Sequence, residues 1–192
     1  EIEDRAVKSC EEFVCFMRYY VKEKRKKPAD DLITHLIKAE SEGEKLSTDE
    51  LITTCILLLN AGHEATVHSI GNGVKTLLEE QVSPTYLNPG NIVKIIEEIL
   101  RFDPPLHMFT RYAYEDIEIE GHTFNRGHEI GLMLGAAGRD PKSWKDPELF
   151  IPDRPIKTNT ALGGGIHFCV GAPLARLELK VGISVLFERC PN

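Results

Sequence analysis

The chain reads as a mainly α protein with a small β part, and three observations carry that reading. Apolar residues recur at helical spacing through the first hundred positions, the period shortens to two for an interval after residue 111, and a glycine-rich turn then leads into a last helical pattern. With 192 residues, 42% hydrophobic and 28% charged, the composition is that of an ordinary globular chain able to bury a substantial core.

The elements follow in order. Ile2, Ala6, Cys10, Phe13, Val14, Met17 and Val21 form an amphipathic pattern that predicts a helix to about Lys26. No capping residue introduces it, the chain begins without methionine, and it stops at Pro191-Asn192 directly after a helix, so both ends read as cut from something longer. Pro28, Asp30 and Asp31 open a second helix with the stripe Leu32, Ile33, Leu36 and Ile37, closed by Gly43. Ser47 and Glu50 form a capping box that launches a helix to about Glu80, on the order of 50 Å long and therefore expected to cross the core. Pro84 breaks the chain, and Asn88-Pro89 caps a helix carrying Ile92, Ile95, Ile96 and Ile99 that stops before Pro104-Pro105. Ile117 and Ile119, a turn at Gly121, and then Ile130, Leu132 and Leu134 predict short strands in a hairpin. Residues 136–160, rich in proline, aspartate and glycine, read as ordered loop. Leu174, Leu177, Val181 and Val185 mark the final helix, with Pro173 in its first turn.

Charge and cysteine usage exclude several function classes. A formal net charge of −7 offers no general attraction to nucleic acid or an acidic membrane, and the basic run Lys22 to Lys27 reads as a solvated helix end. The five cysteines are odd in number and lack C-x-x-C spacing, which argues against a disulfide framework or zinc site and for a reducing cytoplasm. The most apolar run, Cys55 to Leu59, is far shorter than a membrane span.

Cys169 lies in Ala161-Leu-Gly-Gly-Gly-Ile-His-Phe-Cys-Val-Gly-Ala-Pro-Leu-Ala-Arg176. Gly163 to Gly165 permit positive φ, Gly171 repeats that permission, and a helix N-terminus follows, where free N–H groups and the macrodipole favour a thiolate. Such a thiolate suits axial ligation of haem iron; the plainer alternative is an inert cysteine beside a glycine turn. Two further motifs stand out. Ala61-Gly-His-Glu-Ala-Thr66 places Gly62 inside a helix at a cost of about 1 kcal/mol, and Glu98-Ile-Leu-Arg101 sets opposite charges at i, i+3, ordinarily a surface pair.

In Gly165, His167, Cys169 and Gly171 the loop resembles the cysteine loop of the cytochrome P450 family, with pattern Phe-x-x-Gly-x-His/Arg-x-Cys-x-Gly; Leu162 stands where the family usually has phenylalanine. The resemblance implies the P450 fold in a partial chain lacking the N-terminal half and the extreme C-terminus. It divides the chain into a helical region (1–46), a central helix (47–80), the Glu-x-x-Arg helix (88–102), a small β region (111–135), a meander (136–160), and the cysteine loop with its final helix (161–190). It also implies haem b with Cys169 as axial thiolate, surrounded by Leu162, Gly165, His167, Phe168, Gly171 and Arg111, the last reaching a propionate together with His167. Leu106, His107, Met108 and Phe109 would line the pocket beside the haem. Ala61, Gly62 and Glu64 match the family's oxygen-handling motif, in which the glycine makes room for dioxygen and the acid helps deliver protons. Ala65 occupies the usual threonine position, and Thr66, one residue later, points about 100° away on a regular helix. A distorted helix, an ordered water or a substrate hydroxyl would then complete the relay. Glu98, Arg101 and Arg154 would form a buried network for folding and haem retention, and Gly138 replaces an asparagine usual in the meander.

The activity implied is that of a soluble, bacterial-type, cytoplasmic monooxygenase inserting one oxygen atom of O2 into a small hydrophobic organic substrate. Electrons would come from a separate ferredoxin or flavoprotein, docking on a surface that includes Arg176. The alternatives are a haem-thiolate protein that uses peroxide and a non-catalytic haem-binding sensor. The isolated chain is expected to show little or no hydroxylase activity.

Overall fold

The computed structural model describes residues 2–41 and 46–190, so Gly43 and its proposed helix stop lie outside the described residues. Residues 1–61 and 62–192 form two compact units.

In the first unit, α1 (Ile2–Lys26) and α2 (Leu32–Ser41) pack with the opening turns of α3 (Thr48–Glu79). Met17, Val21, Leu51, Ile52 and Cys55 make its core, flanked by Phe13, Val14, Ile33, Leu36 and Ile37. The predicted stripes hold over only part of their length: Ile2, Ala6 and Cys10 are exposed, as is Leu32. At the corner between α1 and α2, Asp31 accepts from Lys24 Nζ and from the Thr34 amide (2.9 Å), capping α2. The capping box forms: Ser47 N and Oγ donate to Glu50 Oε2, and the Glu50 amide donates back to Ser47 Oγ. These bonds lower the Glu50 pKa.

The expectation that the long helix crosses the core fails along its middle. Leu57 and Leu59 are exposed, as are residues 60–64, because among the described residues nothing packs on this stretch. Among the described residues, apolar clusters hold α3 at Leu51, Ile52, Cys55 and Ile56 and, in the second unit, at Ile70 and Leu77.

The second unit is built around α4 (Ile92–Phe102). Its Ile92, Ile95, Ile96, Ile99 and Leu100 are buried against Leu77 of α3, Phe150 and Ala161 of the loops, and Leu179 and Ile183 of α6 (Ala172–Arg189). Gly73 permits the close approach: a Cβ there would lie 3.1 Å from Ile99 Cδ1 and 3.2 Å from Ile183 Cδ1. Helix α4 starts later than Asn88-Pro89 suggests. A 3₁₀ turn, Pro84–Leu87, precedes it, and Asn88 Oδ1 accepts from the Gly90 and Asn91 amides in a separate turn before Ile92.

The β part differs from the predicted single hairpin. Strands β1 (Met108–Tyr112) and β4 (Glu129–Met133) pair antiparallel, with Thr110 opposite Gly131; β2 (Ile117–Ile119) and β3 (His122–Phe124) form a separate hairpin, with Ile117 opposite Phe124. Glu120 and Gly121 both take positive φ and close that hairpin so tightly that Ile117 finds its partner seven residues on, not at Ile130. Leu134 does not extend β4; it is buried and begins a short helix, α5 (Leu134–Gly138), inside what reads as strand and loop.

The apolar stripe that predicts α6 is the wrong face. Leu174, Leu177, Val181 and Val185 are exposed, whereas Ala172, Leu179 and Ile183 are fully buried. The helix is apolar on both sides, so periodicity selects no face.

Candidate functional site

The loop carrying Cys169 is shaped by its own backbone. Gly163 (φ +74°) and Gly165 (φ +63°) adopt the left-handed region, while Gly164 is extended and Gly171 (φ −81°) is ordinary, contrary to the positive φ expected there. The Gly163 amide donates to Thr160 O (2.9 Å), Phe168 N to Gly165 O (3.1 Å) across a 3₁₀ turn, and Cys169 N to Leu162 O (2.9 Å), which folds the loop onto itself. Leu162, in the usual phenylalanine position, packs on the α4 core. Cys169 is a free, half-buried thiol, and α6 opens three residues later with Pro173 in its first turn and no side chain capping Gly171. A Cβ on Gly171 would sit 3.8 Å from the Cys169 sulfur, an ordinary contact. Ile166 and Val170 are almost fully exposed and Phe168 is half-exposed, so an open apolar surface flanks the thiol.

Glu98, Arg101 and Arg154 meet in the interior. Glu98 accepts from Arg101 Nε and Nη2 (both 2.7 Å), from Arg154 Nε (3.0 Å) and from the Ile151 amide (2.8 Å). The remaining guanidinium donors reach carbonyls of Gly138, Pro147 and Leu149 from Arg101, and of Lys145, Asp146 and Leu149 from Arg154. The Glu98 and Arg101 side chains are each 1% exposed, so this is a buried network and not the surface pair that i, i+3 spacing ordinarily gives. Gly138 is required beside it, since a Cβ there would fall 2.2 Å from Arg101 O.

Glu97, the neighbour of Glu98, was not singled out by the sequence and has its own set of partners. Its carboxylate accepts from Arg176 Nε and Nη2 and from Asn159 Nδ2 (3.3 Å). The pair raises the Arg176 pKa, chiefly through the hydrogen bond. Arg176 is therefore paired with Glu97, with its side chain still 37% exposed.

On α3, Ala61 is exposed and belongs to the first unit; Gly62 faces open space, with nothing within 4 Å of an added Cβ. Glu64 is exposed, 3.8 Å from His68, and His63 is also exposed. Thr66 turns elsewhere: its hydroxyl donates to Glu178 of α6 at 3.2 Å, joining residues 112 apart in sequence. Glu178 carried no motif, and only the packing of α3 on α6 makes it visible.

Arg111 and His167 are both exposed; Arg111 Nη1 donates to Thr110 O, and no contact joins the two residues. Leu106, Met108 and Phe109 are exposed, and His107 lies 3.5 Å from Asp103. Among the described residues no group of three or more histidine, cysteine or acidic side chains could hold a metal, and no helix is long and apolar enough to cross a membrane.

The architecture is thus a mostly helical scaffold with one thiol at a helix N-terminus and a buried Glu-Arg-Arg hub. Comparison gives the family. The cytochrome P450 family model matches residues 92–191. A cytochrome P450 of Bacillus subtilis (strain 168) is 42% identical over 184 residues, covering 94% of this chain and 45% of the relative. The 6-deoxyerythronolide B hydroxylase of Saccharopolyspora erythraea is 39% identical over 183 residues, covering 94% and 45%. The crystal structure of CYP109E1 from Bacillus megaterium in complex with testosterone superposes with a TM-score of 0.92 at 35% identity, covering 99% of this chain and 53% of that one. The chain belongs to the cytochrome P450 family and spans about half the length of the relatives it matches.

Proposed function

We propose that this chain is the haem-ligand portion of a haem-dependent monooxygenase, with Cys169 as the axial thiolate. The observation that carries the reading is the half-buried thiol set before the uncapped N-terminus of α6, on a loop opened by two left-handed glycines. The residues fit haem b. Beside Cys169, the exposed Phe168, Ile166 and Val170 would offer a flat ring an apolar surface, and Cys169 would hold its iron. When bound there, haem would supply the oxygen-activating chemistry by which one oxygen atom enters the substrate.

The chain's own groups have distinct tasks. Arg111 and His167 would donate charge-assisted hydrogen bonds to the propionates. Gly62 keeps α3 free of a side chain, leaving room for a small ligand. Glu64, exposed and 3.8 Å from His68, is the carboxyl that would carry a proton; Ala65 has no hydroxyl, and Thr66 gives its own to Glu178. Completion of the relay then falls to water or a substrate hydroxyl. The Glu98 hub supports the fold and haem retention. The relatives' names include a hydroxylase and a testosterone complex, which supports a small apolar organic substrate. Electrons would come from a separate ferredoxin or flavoprotein, in the cytoplasm.

The missing hydroxyl at Ala65 and the commitment of Thr66 favour a second reading, in which the haem-thiolate protein uses peroxide or binds ligand without turnover. The test uses the full-length protein, reduced under carbon monoxide. A strongly red-shifted Soret band that disappears in Cys169→Ala is expected; its absence overturns the haem-thiolate reading. Oxygen uptake matched by product supports the monooxygenase, while product formed only with peroxide, or none with any donor, supports the second reading.

A further inference from the structure

Two adjacent carboxylates on α4 point into different networks. Glu98 gathers the meander, while Glu97 reaches residues on either side of the cysteine loop. On the near side, Asn159 is buried; its Nδ2 donates to Glu97 Oε2 while its Oδ1 accepts from the Ala161 amide (3.0 Å), so one side chain ties the loop's first residues to α4. On the far side, Arg176 donates two hydrogen bonds to the same carboxylate from the early turns of α6. The Glu97 side chain is 12% exposed, so water competes weakly for it. Between these anchors the loop is held by few bonds of its own, notably Gly163 N to Thr160 O and Cys169 N to Leu162 O. Its glycines lower its intrinsic stiffness. Whatever fixes its two ends therefore fixes where Cys169 sits.

We propose that Glu97 is a positioning residue for Cys169, a single carboxylate that fastens both flanks of the thiol-bearing loop to α4 through Asn159 and Arg176. The proposal rests on the reading of Cys169 as haem ligand. Without Glu97, the Arg176 fork and the Asn159 amide lose their common acceptor, and the loop opens locally while the isoleucine core of α4 stays packed.

The test uses the full-length haem-loaded protein and its Glu97→Ala, Glu97→Gln and Arg176→Ala forms. Two quantities are read: persistence of the red-shifted carbon-monoxide Soret band, and hydrogen exchange of residues 160–171 against residues 92–102. In Glu97→Ala the thiolate band should decay, and the loop amides exchange, about tenfold faster than in the wild type, as expected for loss of a charge-assisted hydrogen bond, with α4 unchanged. Arg176→Ala should give a similar effect and add little in combination with Glu97→Ala, because both break one connection. Glu97→Gln keeps the shape and one acceptor oxygen and should fall between; if Glu97→Ala does not fold, Glu97→Gln and Arg176→Ala decide. A wild-type band with unchanged decay and loop exchange in the variants overturns the proposal alone. Equal acceleration in 160–171 and 92–102 also overturns it, since that is general destabilisation. Absence of the band in the wild type overturns the haem-thiolate reading and this proposal together.

Discussion

The Glu98 hub and the Cys169 loop belong to the same unit and obey opposite rules. In the hub, charge is enclosed and satisfied: two guanidinium groups surround one carboxylate, and their remaining donors end on backbone carbonyls. In the loop, backbone shape is settled locally by glycines while the sulfur stays partly open and Ile166 and Val170 face outward. The hub completes its interactions within the chain. The loop is formed but leaves its reactive atom available, which is what a ligand site requires.

The comparison breaks most directly at Glu98. Glu98→Ala strands Arg101 and Arg154 in the interior and should cost roughly 3–5 kcal/mol in denaturant unfolding of the full-length protein. A loss under about 1 kcal/mol, the range of surface pairs, would mean that water reaches the hub. Gly138→Ala comes next: its Cβ would sit 2.2 Å from Arg101 O, so backbone must move, at a cost of about 1–3 kcal/mol. A neutral result would show that the hub's wall yields.

The loop should respond to conformation and not to charge. Gly163→Ala forces a side chain into φ +74° and should cost about 1–2 kcal/mol. Gly164→Ala, in an extended residue with open space around it, should stay within about 0.5 kcal/mol. Equal effects at the two positions would sink the account of the loop.

The smallest effect lies in the first unit. The Lys24 hydrogen bond, with help from the Thr34 amide, holds Asp31 at about 2 against an ordinary 3.8. A depressed carboxylate pKa means stabilisation that is complete above the unfolded value and lost as pH falls through the folded one. The protection factor of amides at the α1–α2 corner, which corrects for the intrinsic pH dependence of exchange, should therefore fall as pH drops from about 4 to 2, and Asp31→Asn should remove that fall. The same acid profile in both proteins would refute it.

The sequence by itself determined the mostly helical class, the capping box at Ser47, the C-terminal end of α1 and the glycine turn before Cys169, because each follows from local pattern. Family resemblance, not local pattern, marked Glu98, Arg101 and Arg154 as charges that could meet. Tertiary structure decided what depends on distant partners. Strand β1 pairs with β4 across the intervening hairpin, Thr66 finds Glu178, Glu97 finds Asn159 and Arg176, and Gly138 fits only because Arg101 O lies against it. Helix α6 shows the limit most plainly. Leu174, Leu177, Val181 and Val185 repeat at helical spacing just as Ala172, Leu179 and Ile183 do, and only packing against α3 and α4 buries the second set. Local sequence encodes the period of an element, but which face of a helix with apolar residues on both sides is buried depends on the neighbours that the whole fold brings to it.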